Sequence, residues 1–239
     1  MSSTTPKPKP KPAQSGFVRQ YLLAYNAVNF YFWITLTIRT TRLLINQAVT
    51  EKTLTNFDIP AIFSETYSPL LQLAQSLAVL EILHSLVGIV RAPFVTTAMQ
   101  VASRLFVVWG VLFPFHESIM GAGDVGVYGY LGCLFAWGVT ECIRYGFFVM
   151  QVNGGVETVP AWWQWLRYNT FYILYPIGIS SECTLAVKAL SAADQLHPLY
   201  WWFIVAVLAV YVPGSYVMYS HMIKQKRKTA GAKKDGKKE

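Results

Sequence analysis

Between its two ends the chain carries six apolar segments, at about 20–45, 69–91, 94–115, 125–150, 165–190 and 198–221. Each is near the ~20 residues that take an α-helix across the hydrocarbon of a bilayer. The strict alternation of a membrane barrel is absent. In lipid the backbone must satisfy its own hydrogen bonds, which leaves uninterrupted helices. The expectation is an all-α, polytopic membrane protein. It consists of a six-helix transmembrane bundle over 20–222, a disordered Lys/Pro tail at 1–19 and a disordered basic tail at 223–239. Charged residues make up 13% of the chain, about half the ~25% of a soluble domain. Aromatics reach 15%, which suits a protein with two bilayer interfaces to line.

The basic residues are concentrated in the tails. Residues 1–19 hold Lys7, Lys9, Lys11 and Arg19 with no acid, and 224–239 hold eight Lys or Arg against Asp235 and Glu239. Tails of this kind fit an anionic membrane surface better than nucleic acid, and no nucleic-acid partner is expected. Between the tails, the loops at 46–68, 116–124 and 191–197 are predominantly acidic, whereas Arg91 and Arg167 lie with the tails. By the positive-inside rule both ends are cytosolic, which requires an even number of spans. Arg39 and Arg42 run against that pattern, and they either snorkel or face the bundle interior. The first apolar run follows a Lys/Pro tail and has no small-residue cleavage site after it, so no signal peptide is expected. Cys133, Cys142 and Cys183 form no C-x-x-C and have no His at ligand spacing; they read as small buried hydrophobes, with no metal site.

Ionisable groups at membrane depth cost several kcal/mol and therefore face the interior and pair. The chain has Glu81 with His84, Arg104, Glu141 with Arg144, and Glu182. Interhelical ion pairing competes with a functional role for Glu81, Arg104 and Glu141. Asn26 and Asn29 read as interhelical hydrogen-bond glue. Glu182 differs, because no arginine lies near it in sequence. Tyr175 precedes it by two helical turns and so shares its face, about 10 Å away along the axis. Gly178 leaves space between them, Pro176 removes a backbone donor, and Ser180 and Ser181 add hydroxyls. A phenol and a carboxyl flanking a gap make an acid/base pocket for an apolar substrate; a kinked packing helix with one satisfied Glu is the competing reading.

The run Tyr175-Pro176-x-Gly178-x-x-x-Glu182, approached by Leu166-Arg167-Tyr168 and Phe171-Tyr172-x-Leu174, resembles the signature of the eukaryotic very-long-chain 3-hydroxyacyl-CoA dehydratases, also called protein-tyrosine-phosphatase-like proteins. Leu80-Glu81-x-x-His84 to Gly88-x-x-Arg91, Gln100-x-x-Ser103-Arg104 and Trp137-x-x-x-Glu141-x-x-Arg144-Tyr145 are similar to other parts of the family, and the resemblance covers about 20–222. It implies a six-span endoplasmic-reticulum enzyme. That enzyme dehydrates (3R)-3-hydroxyacyl-CoA to trans-2-enoyl-CoA, the third step of very-long-chain fatty-acid elongation, without a cofactor. It also implies an acyl-CoA substrate and the other elongation enzymes as partners: the condensing enzyme, the ketoacyl-CoA reductase and the enoyl-CoA reductase. The catalytic pair carries over onto Tyr175 and Glu182.

Loss of water needs a base at the carbon next to the thioester and an acid at the departing hydroxyl. Glu182 is expected as base, with Tyr175 as proton donor or as stabiliser of the enolate oxygen; the reverse assignment stays open. Glu81, Arg104, Glu141, Arg144, Gly178 and Ser181 are expected to order the pocket, and Arg91 and Arg167 to face the CoA phosphates. The phosphatase name finds no support, since none of the three cysteines has an Arg six residues later. The ending Lys237-Lys238-Glu239 departs from a dilysine retrieval signal by one place. A small membrane transporter and a non-catalytic scaffold of the elongation complex are the alternatives.

Overall fold

The computed structural model describes residues 15–52, 57–90, 92–120 and 125–235. Within them the chain is helical: α1 (Gly16–Glu51), α2 (Ile59–Leu86), α3 (Phe94–Ile119), α4 (Val125–Gly154), the short α5 (Ala161–Asn169), α6 (Phe171–Leu196) and α7 (Pro198–Asp235). Among the described residues five helices are long and apolar enough to cross a membrane: α2, α3, α4, α6 and α7. The long α1 falls outside that set because Tyr21, Tyr25, Asn26, Asn29, Tyr31 and Arg39 dilute its apolar content. The outer faces carry Val28, Ile38, Phe113, Ile173, Val187, Val210 and Val212 exposed. So continuous an apolar exterior belongs in lipid.

Several boundaries differ from the sequence reading. Residues 59–66 are helix, not loop. Asp58 caps α2 by accepting from the Ala61 amide at 3.0 Å, and Pro60 occupies the first turn, where its missing N–H costs nothing. The chain then kinks at Ser68, whose φ of −113° and ψ of 133° are not helical, and the helix resumes beyond Pro69. The fifth apolar segment breaks at Thr170, where the Thr170 hydroxyl bonds the Leu166 carbonyl and the Asn169 amide bonds the Trp165 carbonyl. Such side-chain bonds compete with helix propagation. The long helix after the break then runs to Leu196 and leaves little of the expected 191–197 loop. At the two ends, α1 already starts at Gly16, and α7 continues to Asp235 through a run rich in Lys, Ala and Arg, all good helix formers.

Helix α4 is the axis of the bundle. Over half of its apolar window (56%) is buried, against 11% for α7. Its glycines allow that. A Cβ on Gly132 would overlap the Ser181 hydroxyl of α6, and one on Gly138 would lie 2.6 Å from the Thr37 hydroxyl of α1. Small residues of this kind let helices approach closely where lipid supplies no hydrophobic drive. The core beside these contacts is built from Trp33 and Leu36 of α1, Val107 and Val111 of α3, Tyr130 and Cys133 of α4, and Leu185 and Ala189 of α6. Gly132→Ala should therefore lower stability by about 1–3 kcal/mol. Thermal unfolding in detergent should find the loss largely relieved when Ser181→Ala is added.

Polar contacts tie the helix ends together. Arg19 donates to the carbonyls of Val152 and Asn153 at the end of α4, and the Tyr21 hydroxyl meets His84 Nε2 at 2.7 Å near the end of α2. Lys226 of α7 lies 4.5 Å from the Tyr172 ring at the start of α6. Both described chain ends thus sit at one end of the bundle, together with Arg19, Arg167 and Lys226. Asp58, Glu65 and Glu117 belong to the opposite end. Arg39, which broke the charge pattern, pairs there with Glu65. Asn26 and Asn29 are not interhelical glue: their amides donate to the carbonyls of Leu22 and Tyr25 in their own helix.

Candidate active site

A cavity of about 430 Å³ opens between α3, α4, α6 and α7. Both Tyr175 and Glu182 line it, with Gly178 between them. The two-turn spacing puts them on one face of α6, and the missing side chain at 178 leaves the space open (a Cβ there would stand 3.5 Å from that of Ala136). Pro176 and Pro213 lie inside α6 and α7, each depriving a carbonyl one turn earlier of its donor. The remaining wall is mainly apolar, including Phe106, Phe171, Phe203, Val207 and Met218.

Glu182 is buried and held at both oxygens. Trp137 Nε1 donates to Oε1 at 2.9 Å, and the Tyr211 hydroxyl donates to Oε2 at 2.8 Å. Tyr211 also lies 3.3 Å from the Ser103 carbonyl of α3. The Tyr175 hydroxyl donates to the Ser215 carbonyl at 3.2 Å, one turn along α7 from Tyr211. A single face of α7 therefore serves both groups. Neither Trp137 nor Tyr211 was among the expected site residues. Trp137 carried a signal, as the first residue of a polar motif in an apolar helix. Tyr211, amid Val and Ala, carried almost none.

Behind the cavity the charges form a chain. Arg104, on the cavity wall, pairs with Glu141 Oε1, and Arg144 donates to Glu141 Oε2 at 2.6 Å. Arg144 then grips Glu81 with both ends of its guanidinium, at 2.6 and 2.7 Å, and the Tyr145 hydroxyl donates to Glu81 as well. Two acids and two bases balance across α2, α3 and α4, with Glu141 at the centre and 1% of its side chain exposed. Arg104 also stacks 6.0 Å over Trp137, which links this chain to the ring that holds Glu182.

Of the expected pocket-ordering residues, Arg104 and Gly178 line the cavity, whereas Glu141, Arg144 and Glu81 stand behind it. Ser181 does not face it. Being one residue from Glu182, it is turned about 100° around the helix and packs on Gly132 of α4. Arg167 stacks 5.6 Å over Phe148 near the basic end, and Arg91 lies outside the described residues.

The family model for "Protein tyrosine phosphatase-like protein, PTPLA" matches residues 75–232. The chain belongs to the protein tyrosine phosphatase-like family. Relatives in that family extend the match toward the N-terminus. A protein of Schizosaccharomyces pombe named "Probable very-long-chain (3R)-3-hydroxyacyl-CoA dehydratase" is 40% identical over 212 residues, covering 87% of this chain and 92% of the relative. The rice protein named very-long-chain (3R)-3-hydroxyacyl-CoA dehydratase PASTICCINO 2B is 38% identical over 226 residues, 88% and 92% of the two chains. A human protein named very-long-chain (3R)-3-hydroxyacyl-CoA dehydratase 2 is 29% identical over 221 residues, 87% and 80%. No solved structure matches the chain. Of the three thiols, Cys133 is buried in the core, Cys142 lies 3.7 Å from the Thr37 hydroxyl, and Cys183 is half-buried.

Proposed function

We propose that this protein is a hydro-lyase of very-long-chain fatty-acid elongation that converts (3R)-3-hydroxyacyl-CoA to trans-2-enoyl-CoA at the Tyr175–Glu182 cavity. One observation carries the reading. In a chain 38–40% identical to proteins named for this reaction, a phenol and a carboxylate open onto one apolar cavity inside a membrane bundle.

The geometry supports a division of labour. Tyr175 lies nearer the basic end of the bundle and Glu182 deeper. A substrate whose CoA phosphates rest near Arg167 and Lys226 enters tail first, so its thioester passes Tyr175 and its hydroxyl-bearing carbon reaches toward Glu182. The Tyr175 hydroxyl leaves the Ser215 carbonyl and donates to the thioester oxygen, where negative charge develops. Glu182 removes the proton from the carbon next to the thioester; that C–H pair becomes the new C=C bond as the C–O bond breaks. The departing hydroxyl takes the same proton from Glu182 and leaves as water, which returns the carboxylate to its starting state. The distal acyl chain lies along Phe106, Phe203 and Val207.

Six spans, both tails in the cytosol and an endoplasmic-reticulum location complete the proposal. Its supports are the crowding of basic residues at the end where both described chain ends lie and the length of α1, whose 36 residues exceed what a bilayer needs. The other elongation enzymes are the proposed partners. Protein purified in detergent should convert 3-hydroxyacyl-CoA to a product lighter by one water and bearing the conjugated enoyl thioester. Persistent lack of turnover by well-folded protein would leave the transporter or scaffold readings in its place.

A further inference from the structure

Glu182 can serve as a base only if its surroundings hold it in two states, before and after it takes a proton. Its two hydrogen bonds are unequal in this respect. The indole N–H of Trp137 is a donor only, so Oε1, at 2.9 Å, must be an acceptor in both states. A proton that Glu182 gains is best placed on Oε2, where the Tyr211 oxygen can accept it, and not on Oε1, which faces a group that only donates. That oxygen faces the Tyr211 hydroxyl at 2.8 Å, and the same hydroxyl lies 3.3 Å from the Ser103 carbonyl, an acceptor only. A phenol has one hydrogen to give and can also accept. With two acceptors in reach and one hydrogen, its direction depends on whether Oε2 carries a proton.

We propose that Tyr211 is a hydroxyl switch for Glu182, donating to Oε2 while the carboxylate is free and turning its hydrogen to the Ser103 carbonyl when the substrate's proton arrives. In the second state the protonated Oε2 donates to the Tyr211 oxygen, and every polar atom of the group stays paired. The Tyr211 proton is never transferred; it only turns. The proton that moves comes from the carbon next to the thioester, rests on Oε2 and leaves in the product water, so the balance of the reaction is unchanged. Trp137 is the pin that makes Oε2, and not Oε1, the proton-carrying atom. Both are positioning residues, acting through Glu182. The inference rests on the dehydratase reading and specifies how its base is served.

Tyr211→Phe keeps the ring and removes the switch. A lost hydrogen bond to a charged group corresponds to about a 10- to 100-fold fall in kcat; KM for 3-hydroxyacyl-CoA should stay within about twofold. With substrate deuterated next to the thioester, the isotope effect on kcat should rise above that of the wild-type enzyme, because proton removal becomes more fully rate-limiting. A packing role alone would not raise it. Unchanged kcat would overturn the proposal, and so would a lower rate with an unchanged isotope effect. If Tyr211→Phe does not fold, Trp137→Phe tests the pin at the other oxygen by the same two readouts, and wild-type values there overturn the proposal. Wild-type turnover in the same preparation separates the failures. An inactive wild type sinks the dehydratase reading and this inference together, whereas an active wild type matched by the variants sinks this inference alone.

Discussion

Glu182→Gln should abolish dehydration while leaving the fold intact. The amide has nearly the shape of the carboxylate and can still accept from Trp137 at one atom, but it cannot take a proton from carbon. General acid–base catalysis contributes about 10²- to 10⁴-fold, and here one group both removes the proton and returns it to the leaving hydroxyl. The expected loss in kcat is therefore at the upper end, about 10³-fold or more. Tyr175→Phe should cost less, about 10²- to 10³-fold, as for a lost oxyanion donor. Measured on purified proteins with matched elution profiles, this ranking distinguishes the proposed roles. A larger loss in Tyr175→Phe than in Glu182→Gln would favour the reverse assignment.

The second large effect concerns stability. Glu141 is the joint of the Arg104–Glu141–Arg144–Glu81 chain, accepting from a different arginine at each oxygen. Removing its charge leaves Arg104, with only 20% of its side chain exposed, without its paired acid, and Arg144 with Glu81 alone. Breaking one partner of a buried ion pair costs about 3–5 kcal/mol. Glu141→Gln should therefore lower the unfolding midpoint in detergent well beyond the effect of Gly132→Ala. Replacing the exposed pair member Glu65, 49% exposed beside Arg39, should change it little. Equal effects at the two sites would mean that the buried chain does not hold the bundle.

Much of the site is legible in the sequence for a local reason. Tyr175, Gly178 and Glu182 share one helix, and helical spacing alone places them on one face. Arg104, Glu141, Arg144 and Glu81 are visible as charges that lipid would not tolerate unpaired, although which arginine meets which acid is a matter of how three helices pack. Tyr211 was hidden for the same reason: its role depends on the register of α7 against α6, which no spacing within α7 encodes. Ser181 was misplaced because adjacency to Glu182 in sequence means a different face in a helix.

The fold shows the same division between local and long-range information. Asp58 followed by Pro60 is a start signal for a helix, yet the acids around it and Pro69 disguised residues 59–66 as loop. Tyr25, Asn26 and Asn29 of α1 pack inward beside the buried Trp33, so a helix of sufficient length looks less apolar than its neighbours. Hydropathy records composition and not which face meets lipid.

The most direct test of the central claim uses a 3-hydroxyacyl-CoA whose acyl chain carries a photoreactive diazirine, bound to the Glu182→Gln protein in nanodiscs. The account predicts cross-links to cavity residues of α3, α6 and α7, such as Phe106, Ile179, Val207 and Phe203, competed away by unlabelled substrate. Cross-links confined to outward residues such as Val187, Val212 and Tyr216, or insensitive to competitor, would contradict it.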